Sequence, residues 1–123
     1  MILNLSDLSE EPLHSQISRQ IREEILGGGL VAGASLASIR GLARNNKVSV
    51  ITVQRAYESL EREELVVSRR GKGFFVNAIS DSEKQAMARE RFVDALRPVL
   101  KQARQEGLKR EEIRTLIDEE MRS

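Results

Sequence analysis

Ser68-Arg69-Arg70-Gly71-Lys72-Gly73-Phe74-Phe75-Val76 sets two arginines and a lysine on a glycine-bearing turn, between the apolar runs Leu65-Val66-Val67 and Phe74-Phe75-Val76. β-prone runs separated by a short glycine turn predict a hairpin. Just before it, Val53, Ala56, Tyr57 and Leu60 recur at helical spacing, which predicts a helix from Ser49 to about Glu63 with those four facing inward. Asn45-Asn46-Lys47 makes a turn that separates this helix from a shorter one, which begins near Ser38 and carries Ile39, Leu42 and Ala43. Helix, turn, helix and basic hairpin, in that order, describe a helix-turn-helix with a wing suited to lie against phosphates.

Working outward, Glu11-Pro12 predicts another helix start, because proline at the first helical position lacks only an N–H that would be unpaired anyway. Leu13, Ile17, Ile21 and Ile25 then form an i, i+4 stripe that ends at Gly27-Gly28-Gly29, with Leu30 and Leu36 as further core contacts. On the other side, Ser80-Asp81-Ser82-Glu83 offers a cap for a long helix whose apolar face is Phe92, Val93, Leu96, Val99, Leu100 and Ala103. Pro98 should kink that helix near Asp94 to Pro98, and Gly107 should end it. Ile113, Leu116, Ile117 and Met121 define a second amphipathic helix. Two such helices bury little by themselves, so these faces are expected to dock across a two-fold axis as a homodimer, packing onto the chain's own first domain being the alternative.

The chain's 123 residues suit one small domain with an appendage. Its aromatic content of 3% leaves a mostly aliphatic core. Without cysteine there are no disulfides or thiolate metal sites. No stretch is long and apolar enough to cross a membrane, and Met1-Ile2-Leu3-Asn4-Leu5-Ser6-Asp7 lacks the pattern of a signal peptide, so a cytoplasmic location is expected. The net charge of +1 conceals an uneven distribution. Residues 36–78 hold eight basic and four acidic side chains, a local +4, whereas residues 79–123 carry ten of each. No paired carboxylates, activated nucleophile or phosphate loop mark an enzyme. His14, the only histidine, lacks the companions a metal site requires, so no metal or cofactor is expected.

Five segments together resemble the GntR family of bacterial transcription regulators: Pro12-Leu13-x-x-Gln16-Ile17, Gly28-x-Leu30-x-x-Gly33, Leu36-x-Ser38-Ile39-Arg40-x-Leu42-Ala43, Val48-Ser49-x-x-Thr52-Val53-Gln54-Arg55-Ala56-Tyr57-x-x-Leu60-Glu61 and Gly71-Lys72-Gly73-Phe74-Phe75-Val76. The Val-Gln-Arg-Ala-Tyr run and the short tail are similar to the YtrA subfamily, whose members carry two C-terminal helices in place of a ligand-binding domain. The resemblance implies a mostly α fold with a small β wing (α+β): a winged helix-turn-helix DNA-binding domain over residues 1–78 and a helical dimerisation region over residues 79–123. It also implies a dimeric, DNA-binding repressor, and a dimer that presents two readers should prefer a palindromic or pseudo-palindromic operator. Departures from the family pattern include Ala37 for a proline, Gly41 for an acidic residue, Asn46 at an apolar position, Val50 where arginine or proline is frequent, and Glu64 for a glycine.

The expected contact set with duplex DNA follows. Ser49, Val50, Ile51, Thr52, Gln54 and Arg55 occupy the outward and N-terminal side of the second motif helix, the part that enters the major groove. Gln54 suits adenine N6 and N7, and Val50 and Ile51 suit thymine methyls. Arg55 has Glu58 and Glu61 as alternative partners on its own helix. Arg40 matches the family arginine that reaches DNA, Ser38 and Thr52 suit phosphate oxygens or helix caps, and Arg69, Arg70, Gly71 and Lys72 form the wing tip. A protein- or RNA-interaction module without operator specificity is the alternative use of this fold. A small-molecule effector would sit between the tail helices or between the two domains, where no residue cluster marks a pocket.

Overall fold

In the computed structural model, which describes residues 3–123, the chain is mostly helical with one small antiparallel wing. It forms two compact units, Met1–Asp81 and Ser82–Ser123. The first unit contains α1 (Leu13–Leu26), α2 (Ile39–Asn46), α3 (Val50–Arg62), β1 (Val66–Arg69) and β2 (Gly73–Val76). The second is built from α4 (Asp81–Gln105) and α5 (Arg110–Met121).

In the first unit, the apolar periodicity becomes a single core. Ile17, Ile21 and Ile25 of α1 are buried together with Leu42 and Ala43 of α2 and Val53, Ala56, Tyr57 and Leu60 of α3. Each large aliphatic side chain hidden in this way contributes roughly 1.5–3 kcal/mol. Leu65, Val66 and Val76 carry the core beneath the wing, and Ile79 is buried just before α4.

The helix ends explain the chain path. Pro12, expected inside the first turn of α1, is instead its cap, with an extended ψ of 148°. Ser38 caps α2 by accepting the Gly41 N–H at 3.0 Å, and Ser49 caps α3 by accepting the Thr52 N–H at 3.1 Å. Asn45 and Asn46 extend α2 rather than forming the turn, and Asn46 Nδ2 donates to the Leu42 carbonyl. The reversal falls at Lys47, which adopts a left-handed φ of 56°. Glu64 does the same after α3, at φ 62°. In both places the following N–H reaches back six residues inclusively, Val48 to the Ala43 carbonyl and Leu65 to the Leu60 carbonyl, each at 3.0 Å. This is the paired-bond helix ending that usually uses glycine.

The wing is more than a hairpin. β1 and β2 pair in antiparallel register, Val66 with Val76 and Arg69 with Gly73, and the turn closes with Lys72 N–H on the Arg69 carbonyl at 2.9 Å. Gly71 supplies the positive φ of 74° that this tip requires. Residues 33–36 then line the outer edge of β2: Gly33 N–H donates to Val76, Val76 N–H to Ala34 and Leu36 N–H to Phe74. Sequence reasoning does not find this edge segment, because glycine and alanine give it no β signature.

Two long-range links hold α1. Arg22, 8% exposed, forks onto Glu63 at the end of α3 with bonds of 2.8 and 2.6 Å. The Gln16 and Gln20 amides pair with the backbone of Ser6 and Asn4, donating to each carbonyl and accepting from each N–H, and so tie the N-terminal segment along α1.

In the second unit, α4 continues through Pro98 without a break. It ends at Gly107, φ 94°, with Leu108 N–H on the Ala103 carbonyl. No residue of α4 or α5 is buried. No helix among the described residues is long and apolar enough to cross a membrane.

Candidate nucleic-acid interface

The first turn of α3 leads the candidate surface. Because Val53, Ala56, Tyr57 and Leu60 point inward, the opposite arc faces out, with Ile51 68% and Val50 44% exposed. Two branched apolar residues thus stand exposed at the start of a short helix. Ser49 and Thr52 at this end are already engaged: their hydroxyls share a 2.8 Å hydrogen bond while Ser49 also caps the helix. A hydroxyl that accepts a cap bond keeps its own proton, so Ser38 can still donate to an anion.

Gln54 and Arg55 are both exposed, yet differ in freedom. Gln54 Nε2 donates to Glu58 Oε1 at 3.1 Å, so its amide is already in use. Arg55, whose bond to Glu58 or Glu61 was the alternative expectation, has no hydrogen bond or ion pair among the described residues, and neither does Arg40 on α2. Glu61 turns instead to the wing, where its Oε2 accepts from the Ser68 hydroxyl at 2.7 Å and the Ser68 N–H at 3.3 Å. α3 and the hairpin are thereby joined by a charged hydrogen bond.

At the wing, the three basic residues also divide. Arg69 lays its guanidinium over the Phe75 ring, 5.1 Å from the centroid, a cation–π contact that fixes its direction. Arg70 and Lys72 are exposed at the tip, beside Gly71, without partners among the described residues. Behind them, Phe74 meets Tyr57 edge-on at 5.0 Å, and the Tyr57 hydroxyl donates to the Ala37 carbonyl at 2.7 Å. Tyr57 thus connects α3, the lead-in to α2 and the wing. Burial pushes its phenol up to about 12.

A family profile described as "Bacterial regulatory proteins, gntR family" matches residues 13–76, more than half of the chain and the whole of this surface. The chain belongs to the gntR family. Among its relatives, YhcF of Bacillus subtilis (strain 168), named as an uncharacterized HTH-type transcriptional regulator, is 35% identical over 108 residues, covering 85% of this chain and 86% of that protein. YtrA of the same organism, named as an HTH-type transcriptional repressor, is 33% identical over 62% of this chain and 58% of its own length. Of the solved structures, a GntR family transcriptional regulator from Listeria monocytogenes superposes with a TM-score of 0.79 at 26% identity, covering 94% of this chain and 98% of that one. The AraR DNA-binding domain in complex with operator ORX1 matches at a TM-score of 0.53 and 28% identity, over 60% of this chain and 92% of that one. This gntR-family chain is a YtrA-like, DNA-binding transcriptional regulator and not an enzyme.

In the second unit the expected dimerisation residues stand on the surface of the isolated chain. Phe92, Val99, Leu116, Ile117 and Met121 are exposed, and Val93, Leu96, Leu100 and Ile113 are half-buried. A groove of about 420 Å3 runs between α4 and α5, with an apolar floor of Leu100, Ile113 and Ile117 and a rim of Arg104, Arg110 and Arg114. The sequence marks no pocket here, since the floor and rim residues come from two helices whose relative register only the fold supplies. Among the described residues no cluster of histidine, aspartate and glutamate is suited to a metal ion.

Proposed function

We propose that this regulator is a dimeric repressor acting in the cytoplasm on a palindromic operator. The first half of α3 reads base edges, while Arg70 and Lys72 hold the flanking backbone. The reading is carried by one observation, the exposure of Val50 and Ile51 on the leading turn of α3, where apolar side chains suit thymine methyls in the major groove. The unpartnered Arg40 is the candidate for a bidentate contact, worth about 1–3 kcal/mol of base discrimination. Ser38, Ser49 and Thr52 fix register on phosphates, Gln54 reads a base once it leaves Glu58, and Arg55 flanks it.

The second copy docks on the tail. Both helices carry apolar stripes with no buried residue, which supports an intermolecular partner for them. Leu100, Ile113 and Ile117 belong both to this face and to the α4–α5 groove, so an apolar effector in the groove would compete with the dimer for one surface.

Selection of bound duplexes from a random pool, followed by titration of the selected site, tests the proposal. Two symmetry-related half-sites are expected. Arg40→Ala should relax preference at one base position, whereas Arg70→Ala should weaken all duplexes alike and lower the salt slope by about one. Equal binding by both variants, or no duplex bound at low salt, defeats the reading. In sedimentation, Ile117→Glu should shift the protein toward monomer, and an unchanged dimer would remove the tail from the interface.

A further inference from the structure

Between α1 and α3 of the first unit lies a second basic feature, which shares Arg55 with the DNA-reading arc and adds groups outside it. It is a cleft of about 200 Å3, with His14 on the α1 side and Arg55 and Arg62 on the α3 side. Ser15, Ser18 and Ser59 supply hydroxyls to its walls. Deeper in the fold, the same two helices meet through isoleucine, valine and leucine, so a polar opening at this edge is a local departure from how they otherwise pack.

Along α1 and α3 the arginines divide into paired ones and the two that face the cleft. Arg19 is bonded to Glu11 and Glu23, and Arg22 to Glu63, at 2.6–3.1 Å. Arg55 and Arg62 have no hydrogen bond or ion pair among the described residues. They stand seven residues apart on one line of α3, about 10 Å along the axis. Glu58, the one acid lining the cleft, accepts from Gln54 rather than from either arginine. The side chains facing the cleft therefore carry two guanidinium charges against one carboxylate. His14 Nδ1 is within 3.5 Å of the Ser15 hydroxyl, and the other ring nitrogen has no hydrogen bond among the described residues. A volume near 200 Å3 is below the roughly 300–1,000 Å3 of pockets that enclose drug-sized molecules, so the cleft suits a small anionic group.

We propose that this cleft binds a phosphate group, held by Arg62, Arg55 and His14. Guanidinium forks match tetrahedral oxyanions, and the Ser18 and Ser59 hydroxyls, which donate to the Ser15 carbonyl and to Glu63, would have to turn to join them. Two sources share this chemistry: a backbone phosphodiester of DNA lying beside α3, and a free phosphomonoester.

Because His14 is the only histidine in the chain, its imidazole NMR signals report on the cleft without ambiguity. Full-length protein is titrated with inorganic phosphate, with chloride at matched ionic strength as control, and separately with duplex DNA. A saturable shift of the His14 signals is expected, weakened at least tenfold in Arg62→Gln and less in Arg62→Lys, which keeps charge but loses the fork. If the DNA backbone is the source, duplex moves His14, and Arg62→Gln weakens all sequences alike with a salt slope lower by about one. If a free phosphate ester is the source, inorganic phosphate moves His14 and Arg62→Gln binds DNA like wild type. His14 signals that respond to neither ligand, or identically in wild type and Arg62→Gln, overturn the proposal. Operator binding by the wild-type protein is read in the same titrations, so failure of the cleft and failure of the operator reading are distinguishable.

Discussion

Replacing Glu64 with glycine should make the first unit more stable. Glu64 sits just past the end of α3 at φ 62°, where its N–H donates to the Glu61 carbonyl at 2.9 Å and the next N–H, of Leu65, reaches the Leu60 carbonyl at 3.0 Å. The second of these bonds demands a left-handed residue at position 64. Crowding of an L side chain's Cβ against the backbone costs about 1–2 kcal/mol there, which glycine avoids. Glycine in turn loses about 0.5–1 kcal/mol more chain entropy on folding. The difference leaves roughly 0.5–1 kcal/mol in favour of Glu64→Gly. For a unit of this size that corresponds to a rise in Tm of about 2–8 °C.

The Glu64 side chain itself contributes little that is lost. It is exposed and has no hydrogen bond or ion pair among the described residues, and the Asn77 Nδ2 bond of 2.8 Å goes to its backbone carbonyl, which the substitution keeps. A carboxylate at a helix C-terminus also opposes the helix dipole, so part of any gain comes from removing charge. Glu64→Ala removes the same charge while keeping Cβ and is the necessary companion. Scanning calorimetry on wild type, Glu64→Gly and Glu64→Ala should place the glycine variant clearly above the alanine one. A glycine variant that melts at or below the alanine variant would refute the strain argument.

Two other perturbations probe the links between elements. Tyr57→Phe removes the bond to the Ala37 carbonyl and should cost about 1 kcal/mol in urea unfolding. The folded Tyr57 phenol lies near 12 and the unfolded one near 10, so the folded state holds the proton more tightly. That contribution is complete below about pH 10 and is lost as pH rises toward 12 in wild type but not in Tyr57→Phe, a difference that alkaline melts would reveal. Arg22→Met removes the fork on Glu63, which is only 29% exposed at its side chain, and should destabilise by about 2 kcal/mol after allowance for partial solvent access. A denaturation midpoint within error of wild type would show the pair to be decorative.

How much of this was legible in the chain depends on whether a feature is local. The stripes Leu13-Ile17-Ile21-Ile25 and Val53-Ala56-Tyr57-Leu60 follow from helical period alone, and the structure buries all of them but Leu13, which is half-buried. The wing follows from glycine flanked by β-prone runs, with boundaries shifted by one or two residues. Long-range features left no such trace. The Arg22–Glu63 pair spans 41 positions, the 33–36 edge has no strand-forming side chains, and the left-handed ends fall on Lys47 and Glu64 rather than on glycine. Only the departure from a frequent glycine at position 64 hinted at the second of these.

The candidate interface illustrates a different limit, because composition counts charges without showing which are already spent. From the sequence, Arg69, Arg70 and Lys72 are three equal cations, and Gln54 is a free amide. Folding makes them unequal. Arg69 is pinned over Phe75, and Gln54 is committed to Glu58, whereas Arg40, Arg70 and Lys72 face solvent without partners among the described residues. A pinned cation has already lost its rotamer entropy and can meet a phosphate cheaply, but only where the ring points it. An unpinned one adapts to any backbone while losing roughly 1–2 kcal/mol of side-chain freedom on contact. The wing therefore combines one preset contact with two adaptable ones. Its attachment to α3 through Ser68 and Glu61 fixes where Arg69 stands relative to Val50 and Ile51, and so, in the proposed reading, where the preset contact lands relative to the bases.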